Sequence, residues 1–339
     1  MNILITGGAG FIGSNFVKYM VRKYPTYQFL NVDLLTYAGN LENLTDIEEH
    51  TNYKFVKADI CDKALITSLV EENKIDTIIN FAAESHVDRS ISNPSIFVQT
   101  NVVGTQVLLD VAKEQNLTKY VQVSTDEVYG SLGKEGYFTE DTPLQPNSPY
   151  SSSKAGSDLL VRAYYETFGL NVNITRCSNN YGPLQFPEKL IPLMISNALE
   201  GKPLPVYGDG QNIRDWLHVE DHCSAIDLVL HEGESGEVYN VGGHNERTNI
   251  QIVETIIEAL GASKDLITYV EDRLGHDRRY GIDPEKLTSE LGWKPKYTFE
   301  TGIKETIQWY LDNREWWERI KSGDYMDYYA KQYEGKLNV

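Results

Sequence analysis

Two adjacent carboxylates, Asp126 and Glu127, follow an apolar stretch at residues 119–123 that has the composition of a buried strand. Burying a carboxylate costs free energy unless the group is paired or hydrogen-bonded, so two of them at the end of a buried strand need a reason. Two carboxyl groups whose environments separate their pKa values can divide the roles of general acid and general base. The structural alternative is a pair of solvated loop acids.

A second candidate pair, Tyr150 and Lys154, is spaced four residues apart in a stretch with helical character. On a helix this spacing puts both side chains on one face. There the ammonium favours the ionised phenol, so that Tyr150 can act as a base near neutral pH. Taken alone, the spacing is common by chance, and an amphipathic helix with a buried tyrosine and a solvated lysine is the commoner explanation.

Three glycines, Gly7, Gly10 and Gly13, follow a predicted strand at 2–6 and open a predicted helix at 11–23. Glycines at such a turn let the backbone approach a pyrophosphate, to which the helix N-terminus offers N–H donors and a positive dipole. Asp33 ends the next predicted strand, where its carboxylate can accept from both ribose hydroxyls, which favours NAD over NADP. The alternatives are a tight turn without a ligand and a loop-capping acid.

The first half of the chain alternates between β-rich and helix-like stretches, which predicts an α/β fold with a Rossmann-like, doubly wound parallel sheet. Further strands are predicted at 28–32, 53–58, 76–81, 119–124 and 172–176, and helices at 62–73, 95–115 and 150–168. We therefore predict an NAD-binding Rossmann domain at 1–176. A smaller C-terminal α/β domain at 177–339 is expected to bind mainly the substrate.

The loops after residue 176 are rich in Gly, Pro and Asn, with helices predicted at 219–231, 249–260 and 300–312. Segments within about 205–231 are expected to return to the Rossmann sheet. The aromatic and charged stretch 316–339 is expected to pack along the surface.

The composition, 41% hydrophobic and 24% charged over 339 residues, is that of an ordinary globular protein. Neither a membrane span nor a signal peptide is predicted. A net charge of −18 disfavours nucleic acid as a partner but allows a small anionic substrate held by local positive charge. Cys61, Cys177 and Cys223 are odd in number and widely spaced, so we predict no disulfide framework, no metal site and a reducing, cytoplasmic location.

The glycine spacing, Asp33 and the Tyr150–Lys154 pair together resemble the extended short-chain dehydrogenase/reductase family, over residues 1 to about 310. The resemblance implies that Tyr150 is the acid or base for a sugar or alcohol hydroxyl, which Thr125 shares. It also implies that Lys154 holds the nicotinamide ribose and lowers the pKa of Tyr150. Sugar-nucleotide epimerases of this family have small polar residues at the positions of Asp126 and Glu127, so these carboxylates imply an additional proton transfer.

Longer stretches are similar to the dTDP-glucose 4,6-dehydratase family, namely 36–44, 81–91, 124–130, 149–158, 179–183, 186–192, 203–222 and 272–280. This resemblance implies a hydro-lyase that oxidises C4 of dTDP-glucose with tightly bound NAD. Glu127 then removes the C5 proton and Asp126 protonates the departing C6 hydroxyl, before the hydride returns to C6. The product implied is dTDP-4-keto-6-deoxy-glucose. A homodimer through the helices at 95–115 and 150–168 is also implied.

The same resemblance implies the remaining binding residues. Those for the cofactor are Gly7, Gly10, Phe11, Ile12, Gly13, Asp33, Leu34, Leu35, Thr36, Asp59, Ile60, Phe81, Ala82, Ala83, Glu84, Ser85, Thr100, Tyr150 and Lys154. Those for the nucleotide sugar are Ser85, Thr125, Asn179, Lys189, Leu190, Pro205, Val206, Tyr207, Arg214, Asn249, Asp272, Arg273, Leu274, Gly275 and His276. Arg214, Arg273 and Lys189 are candidates for the pyrophosphate, because cationic side chains, and the arginine fork above all, donate to phosphate.

Three leucines, Leu34, Leu184 and Leu274, depart from the family pattern, which leaves NAD affinity and details of the substrate pocket open. A 4-epimerase or a dehydratase for another nucleotide is the nearest alternative function. A dinucleotide-sensing module without catalysis is a more distant one, which the intact set Thr125, Tyr150 and Lys154 argues against.

Overall fold

The computed structural model describes residues 1–323. The strands are β1 (Asn2–Thr6), β2 (Gln28–Asp33), β3 (Tyr53–Lys57), β4 (Thr77–Asn80), β5 (Lys119–Thr125), β6 (Val172–Cys177), β7 (Asn179–Tyr181), β8 (Leu204–Tyr207), β9 (Ile213–His218), β10 (Val238–Val241), β11 (Glu246–Thr248) and β12 (Ile267–Val270). Each of the six strands predicted from the sequence is present, with its ends within one residue of the predicted bounds.

A seven-stranded sheet in the order β10-β6-β5-β4-β1-β2-β3 forms the centre of the molecule. All of its neighbouring strands pair in parallel. The order reverses between β1 and β4, and ligands of open α/β sheets bind at the carboxyl ends of the strands beside such a reversal. The predicted Rossmann-like, doubly wound fold is confirmed.

Helices connect the strands and cover the sheet. They are α1 (Phe11–Lys23), α2 (Lys63–Glu72), α3 (Val87–Ser92), α4 (Pro94–Phe97), α5 (Thr105–Glu114), α6 (Pro149–Phe168), α7 (Leu190–Glu200), α8 (Val219–Glu232), α9 (Asn249–Leu260), α10 (Glu285–Leu291), α11 (Phe299–Asp312) and α12 (Arg314–Lys321). One face of the sheet packs against apolar side chains of α1 and α8, and the other against those of α2, α5 and α6. Both faces are therefore buried, as the apolar composition of parallel strands requires.

The single helix predicted at 95–115 is wrong in its middle. α4 passes into a π-helical turn at Val98–Gly104 before α5 begins. Within this turn the buried Asn101 side chain donates to the backbone oxygen of Glu84 at 3.0 Å and to the hydroxyl of Ser153 at 2.8 Å. Gly104 packs closely on Ile60, since a Cβ there would lie 2.4 Å from the Ile60 side chain. These tertiary contacts override the regular helical pattern.

The chain after β6 builds a second apolar core. α7, α9, α11 and α12 contribute to it, and Trp317 is fully buried there. β8 pairs with β12, and β9 lies between β7 and β11. The stretch 316–339, which is expected to pack along the surface, is described only to residue 323. The described part includes the end of α12, in which Trp316 and Trp317 are buried. Residues 324–339 lie outside the described residues.

Two elements after β6 contact the central sheet. α8 packs on the face that α1 covers, through Val219, Cys223, Ile226 and Leu230. β10 pairs with β6 and completes the sheet at that edge. The division into domains near residue 176 stays a prediction. Among the described residues, no helix combines the length and the apolar character needed to cross a bilayer.

Candidate active site

A cleft of about 310 Å³ opens at the carboxyl ends of the central strands. Its lining contains most of the predicted cofactor residues together with Thr125, Asp126, Glu127, Asn179 and Lys189. Residues far apart in the sequence therefore converge on one site, as the parallel order of the strands requires.

The glycine turn between β1 and α1 forms one end of the cleft. Gly7 has a φ of +70°, and a Cβ on it would lie 2.6 Å from the Ala82 backbone nitrogen. A Cβ on Gly13 would lie 2.2 Å from the Gly7 oxygen. No side chain caps the N-terminus of α1, whose N-cap residue is Gly10. The turn thus fits a pyrophosphate, since its backbone can be approached closely and no side chain caps the N-terminus of α1.

Asp33 lies at the end of β2 beside this turn. Its two carboxylate oxygens accept from the backbone nitrogens of Ala9 at 2.9 Å and Leu35 at 2.8 Å. Burial raises the pKa of Asp33, and the two N–H donors oppose that rise. Each oxygen keeps acceptor capacity for a further hydroxyl, and the two bonds fix the carboxylate where the ribose of a dinucleotide would lie.

The loop after β4 runs across the middle of the cleft. Phe81, Ala82, Ala83, Glu84 and Ser85 all line it. Asn101 fixes this loop through hydrogen bonds with the backbone nitrogen and oxygen of Glu84. Lys189 fixes it as well, since its Nζ donates to the Ser85 backbone oxygen at 3.0 Å. The backbone of this loop is therefore fixed at the junction between the glycine turn and the two adjacent carboxylates, Asp126 and Glu127.

The two acidic residues lie in a 3₁₀ turn at Asp126–Tyr129 that follows β5 directly. Thr125 caps this turn, since its hydroxyl accepts from the Glu127 backbone nitrogen at 3.3 Å. The Thr125 hydroxyl also donates to Asp126 Oδ1 at 3.3 Å. Asp126 is 1% exposed, and its Oδ2 has no hydrogen-bond partner within the described part of the chain.

The pKa values of these two carboxyl groups are separated by their surroundings. Burial, followed by the charge of Glu127, raises the pKa of Asp126 well above its usual range. Burial also raises the pKa of Glu127, but the charges of Arg273, Arg214 and Lys189 oppose that rise. Burial thus favours the protonated form of Asp126 strongly, whereas cations offset part of the same effect at Glu127, so Asp126 is the better candidate for an acid and Glu127 for a base.

Tyr150 and Lys154 lie on the first turns of α6 and line the same cleft. The pKa of Tyr150 is raised well above its usual range rather than lowered, because the phenol is buried and lies near the charge of Glu127. Lys154 Nζ donates instead to the Val123 oxygen at 2.8 Å, and burial lowers its pKa. Burial and the neighbouring anion thus outweigh the effect of Lys154 in this structure, and the lowering of the Tyr150 pKa by Lys154 stays a prediction.

Three cationic side chains converge near Glu127 from different parts of the chain. Arg214 is buried, donates to the backbone oxygens of Ile213 and Asp277, and stacks on the Tyr280 ring at 4.2 Å. Arg273 lies 3.8 Å from Asp88 Oδ1. Lys189 lines the cleft itself. This positive group lies within an acidic protein and beside the carboxylates, so it can attract an anionic substrate locally.

The sequence and the fold of the chain are similar to those of known proteins. The family described as GDP-mannose 4,6 dehydratase matches residues 4–306. The chain belongs to this family. The dTDP-glucose 4,6-dehydratase of Salmonella typhimurium strain LT2 is 52% identical over 361 aligned positions, covering 99% of this chain and 100% of that protein.

Two solved structures of relatives match this dehydratase over most of its length. The dTDP-glucose 4,6-dehydratase of Bacillus anthracis, in complex with NAD, is 60% identical with a TM-score of 0.89, covering 95% of this chain and 100% of that one. The dTDP-glucose 4,6-dehydratase of Streptomyces venezuelae, with NAD bound, is 50% identical with a TM-score of 0.92, over the same shares of the two chains.

Several predicted substrate residues of this dehydratase lie outside the cleft lining. Leu190 begins α7, Pro205, Val206 and Tyr207 lie in β8, and Asn249 begins α9. Asp272, Leu274 and Gly275 are exposed, and Leu274 is 77% exposed. The His276 ring nitrogen Nδ1 lies 2.5 Å from Asp272 Oδ1, and the Tyr207 hydroxyl donates to Asp88 Oδ2 at 3.2 Å. The predicted cofactor residue Leu35 is likewise absent from the lining, and it has a φ of +57°.

The cleft of this dehydratase also contains polar residues that the sequence analysis missed. Ser124, Ser178, Asn180, Gln185 and Glu188 line it and are buried. Glu188 accepts from Arg89 Nε at 3.2 Å, and Asn180 Oδ1 lies 2.9 Å from the His222 ring nitrogen Nδ1. Each of the five lies in or beside a stretch on which the family resemblance rests, so the stretches marked this part of the site although the individual residues were not singled out.

Proposed function

We propose that the chain is an NAD-dependent dTDP-glucose 4,6-dehydratase that forms dTDP-4-keto-6-deoxy-glucose and water. The observation that carries this proposal is the Asp126–Glu127 pair, in which burial raises the pKa of Asp126 well above its usual range while three cationic side chains oppose the rise at Glu127. Interconverting an alcohol and a ketone needs only one acid–base group at the hydroxyl. Elimination of water needs a base and an acid in addition.

NAD fits the end of the cleft formed by the glycine turn and Asp33. The turn offers close backbone approach for the pyrophosphate, and the Asp33 carboxylate would repel the 2′-phosphate of NADP. When bound, NAD supplies the acceptor for the C4 hydride and the donor that returns it to C6. The printed descriptions of the two relatives with solved structures name NAD as their ligand.

The chain's own residues supply the proton transfers. Tyr150, beside the Thr125 hydroxyl, must be ionised to take the proton of the C4 hydroxyl as C4 is oxidised. The positive charges of Lys154 and of bound NAD would favour that form against the effect of burial. The resulting ketone makes the C5 proton acidic, and the ionised Glu127 removes it. Asp126 gives its proton to the departing C6 hydroxyl, so that water leaves and a C5–C6 double bond forms. When the hydride reaches C6, Glu127 returns its proton to C5. The proton that Tyr150 took from the C4 hydroxyl then passes to Asp126, so that Tyr150, Glu127 and Asp126 all recover their starting states.

The three cations near Glu127 would hold the pyrophosphate of the nucleotide sugar. Arg214, Arg273 and Lys189 approach from β9, from the loop after β12 and from the residue before α7. A nucleotide diphosphate brings about two negative charges, which a cluster of guanidinium and ammonium groups can pair by hydrogen bonds. We therefore place the sugar between this cluster and the glycine turn, above Thr125 and Tyr150.

Two alternatives differ in class. A 4-epimerase would use Tyr150 and NAD but has no role for a buried, protonated Asp126 beside a cation-flanked Glu127. A dinucleotide-sensing module needs neither carboxylate nor the Thr125–Tyr150–Lys154 set. A dehydratase for another nucleotide shares the whole site, and the printed names of the relatives favour dTDP.

Mass spectrometry of the purified protein incubated with dTDP-, UDP-, GDP- and CDP-glucose, without added NAD, tests the proposal. We expect loss of one water from dTDP-glucose and from no other substrate. Water loss from another nucleotide sugar would keep the mechanism and change the substrate. Unchanged mass throughout, also after NAD is added, would contradict the dehydratase, and chromatographic separation of the sugars would then detect an epimer.

We also propose a homodimer that pairs through the α5 and α6 regions. Ile96, Val98, Leu159 and Phe168 are large apolar side chains in or beside this region and are 40%, 51%, 57% and 53% exposed, and exposed apolar groups of this kind favour association. Sedimentation velocity should give the mass of a dimer.

A cytoplasmic location is proposed from the three free cysteines, which indicate a reducing compartment. A functional division near residue 176 into a cofactor part and a mainly substrate-binding part completes the proposal.

A further inference from the structure

A chain of buried polar side chains lies outside the cleft and connects two of the elements that form it. Asp158, Arg176, Tyr129 and Asn240 are each 5% exposed or less. Asp158 and Arg176 line a second, smaller cavity and do not belong to the lining of the cleft. The mechanism above uses none of the four.

Hydrogen bonds connect these four side chains in an unbroken series. Arg176 Nε donates to Asp158 Oδ2 at 2.9 Å, and Arg176 Nη1 donates to the Tyr129 hydroxyl at 3.0 Å. The Tyr129 hydroxyl in turn donates to Asn240 Oδ1 at 2.8 Å. The Tyr129 ring is also stacked on Phe138 at 5.0 Å between centroids. Tyr129 therefore accepts and donates at once, with its ring orientation fixed.

Two members of this network lie on the two elements that carry the proposed catalytic residues. Asp158 is on α6, four residues after Lys154, and Tyr129 ends the 3₁₀ turn that begins with Asp126. Arg176 lies between them on β6, paired in register with Ser124 on β5 and with Asn240 on β10. The network thus joins the helix that carries Tyr150 and Lys154 to the turn that carries Asp126 and Glu127.

A buried ion pair is a weak source of stability, because desolvation offsets much of its attraction, but it is costly to break and so specifies one geometry. Asp158 and Arg176 are both buried, and an alternative position of the turn would leave one of these charges or the Tyr129 hydroxyl without its partner. The charge of Asp158 also favours the protonated form of Lys154. The network therefore penalises relative movement of the helix and the turn.

We propose that Asp158, Arg176 and Tyr129 are positioning residues that hold the turn of Asp126 and Glu127 in register with the helix of Tyr150 and Lys154. This inference rests on the proposed function, since it assigns oxidation to the helix and elimination to the turn. Lys154 has its own anchor at the Val123 oxygen. Loosening the network at Tyr129 should therefore impair elimination more than oxidation.

Tyr129→Phe removes the hydroxyl and keeps the stacked ring. Single-turnover reactions with dTDP-glucose would be followed by the absorbance of reduced nicotinamide and by rapid-quench mass spectrometry of water loss. We expect water loss to slow by about tenfold to a hundredfold, as for a small misplacement of catalytic groups. Cofactor reduction should stay within about twofold of the unaltered protein, so that the reduced cofactor accumulates.

Tyr120→Phe is the matched control. Tyr120 is also buried, lies on β5, and donates its hydroxyl to Gln122 Oε1 at 2.8 Å, away from the network. It should leave both steps unchanged. Arg176→Lys keeps a cation near Asp158 but lacks the planar fork that reaches Tyr129, so it should reproduce the Tyr129→Phe defect.

Equal slowing of both steps in Tyr129→Phe and Arg176→Lys, or no slowing in either, would overturn the positioning role. The unaltered protein, run in parallel, separates this failure from that of the proposed function. If it reduces the cofactor but releases no water, the dehydratase itself is refuted and the inference falls with it. Thermal unfolding of each variant identifies a defect that comes from loss of fold, which would lower both rates together.

Discussion

The two halves of the cleft are built in different ways. The cofactor half is formed largely by backbone: a glycine turn, the uncapped start of α1 and the loop after β4. Its acidic side chains are Asp33, Asp59 and Glu84. The substrate half depends on charged side chains, namely Asp126 and Glu127 with cations from three separate segments. An added atom would clash with the closely packed backbone of the cofactor half, whereas the substrate half depends on the charges that surround each carboxyl group. We therefore expect substitutions in the two halves to have different effects.

The largest effect is expected from an added methyl group in the backbone half. In Gly13→Ala the new Cβ would lie 2.2 Å from the Gly7 oxygen, which forces the turn apart. The purified variant should contain no NAD and catalyse neither step. The NAD content is measured from the absorbance of the supernatant after the protein has been denatured and removed. Gly133→Ala is the control, because a Cβ there meets nothing within 4 Å. Retention of NAD by Gly13→Ala would refute the pyrophosphate site.

Tyr150→Phe removes the acid–base group of the first step while leaving the fold and NAD binding intact. Cofactor reduction by dTDP-glucose should slow by about 10²–10⁴-fold, the usual contribution of such a group. Tyr164→Phe is the control, since Tyr164 lies on the same helix and donates to Asp110 Oδ1 at 2.6 Å, away from the cleft. Near-normal reduction in Tyr150→Phe would remove this residue from the proposed role.

Glu127→Gln should separate the two steps. Water loss should slow by about 10²–10⁴-fold because the base is lost, whereas cofactor reduction by dTDP-glucose should continue. Rapid-quench mass spectrometry and nicotinamide absorbance measure the two rates, with the exposed Glu135→Gln as control. Equal loss of both steps would show that Glu127 is not the C5 base.

Arg273→Met tests the charge balance of the substrate half. Arg273 opposes the burial-induced rise in the pKa of Glu127, so its loss should raise that pKa and move the acid limb of the water-loss profile to higher pH. Loss of a charged hydrogen bond to the pyrophosphate should weaken substrate binding by about 1.5–3 kcal/mol. Arg278→Met is the control, since Arg278 is exposed and paired with Asp209. An unchanged acid limb would remove Arg273 from the electrostatics of Glu127.

The smallest effect is expected at Leu34, where the family often has a lysine. Leu34→Lys adds a cation beside the predicted adenosine site at an exposed position, so NAD affinity should change by less than about 1 kcal/mol. Titration calorimetry of the NAD-free protein measures this. Leu41→Lys, which is equally exposed at 43%, is the control. A change of tenfold or more in Leu34→Lys alone would give this position a larger role than an exposed charge allows.

The cofactor half was largely predictable from the sequence, because the strand, the glycines, the helix and Asp33 follow one another within a short stretch of the chain. The central strands were equally accessible, since buried parallel strands are continuous apolar runs. The interruption of the helix at 98–104 was not, because it depends on the contacts of Asn101 with Glu84 and Ser153. A local pattern contains no information about such partners.

The cations of the substrate half could be located only through the family resemblance. The spacing of Tyr150 and Lys154 predicts a lowered tyrosine pKa, whereas burial and Glu127 raise it, and these are properties of tertiary structure. The opposite surroundings of Asp126 and Glu127 likewise depend on Arg214, Arg273 and Lys189, which lie far along the chain. Two adjacent carboxyl groups can therefore be assigned different roles only when their surroundings in the folded protein are known.

The position of β10 has a consequence for how the protein reaches its native state. β10 covers the edge of β6, although it is synthesised about 60 residues later. Until those residues leave the ribosome, β6 is an open edge that can pair with other chains. A fragment that ends at residue 176 would keep the glycine turn and both Tyr150 and Lys154, yet we expect it to aggregate during expression. We therefore expect that the cofactor-binding part of this chain does not fold as an independent unit.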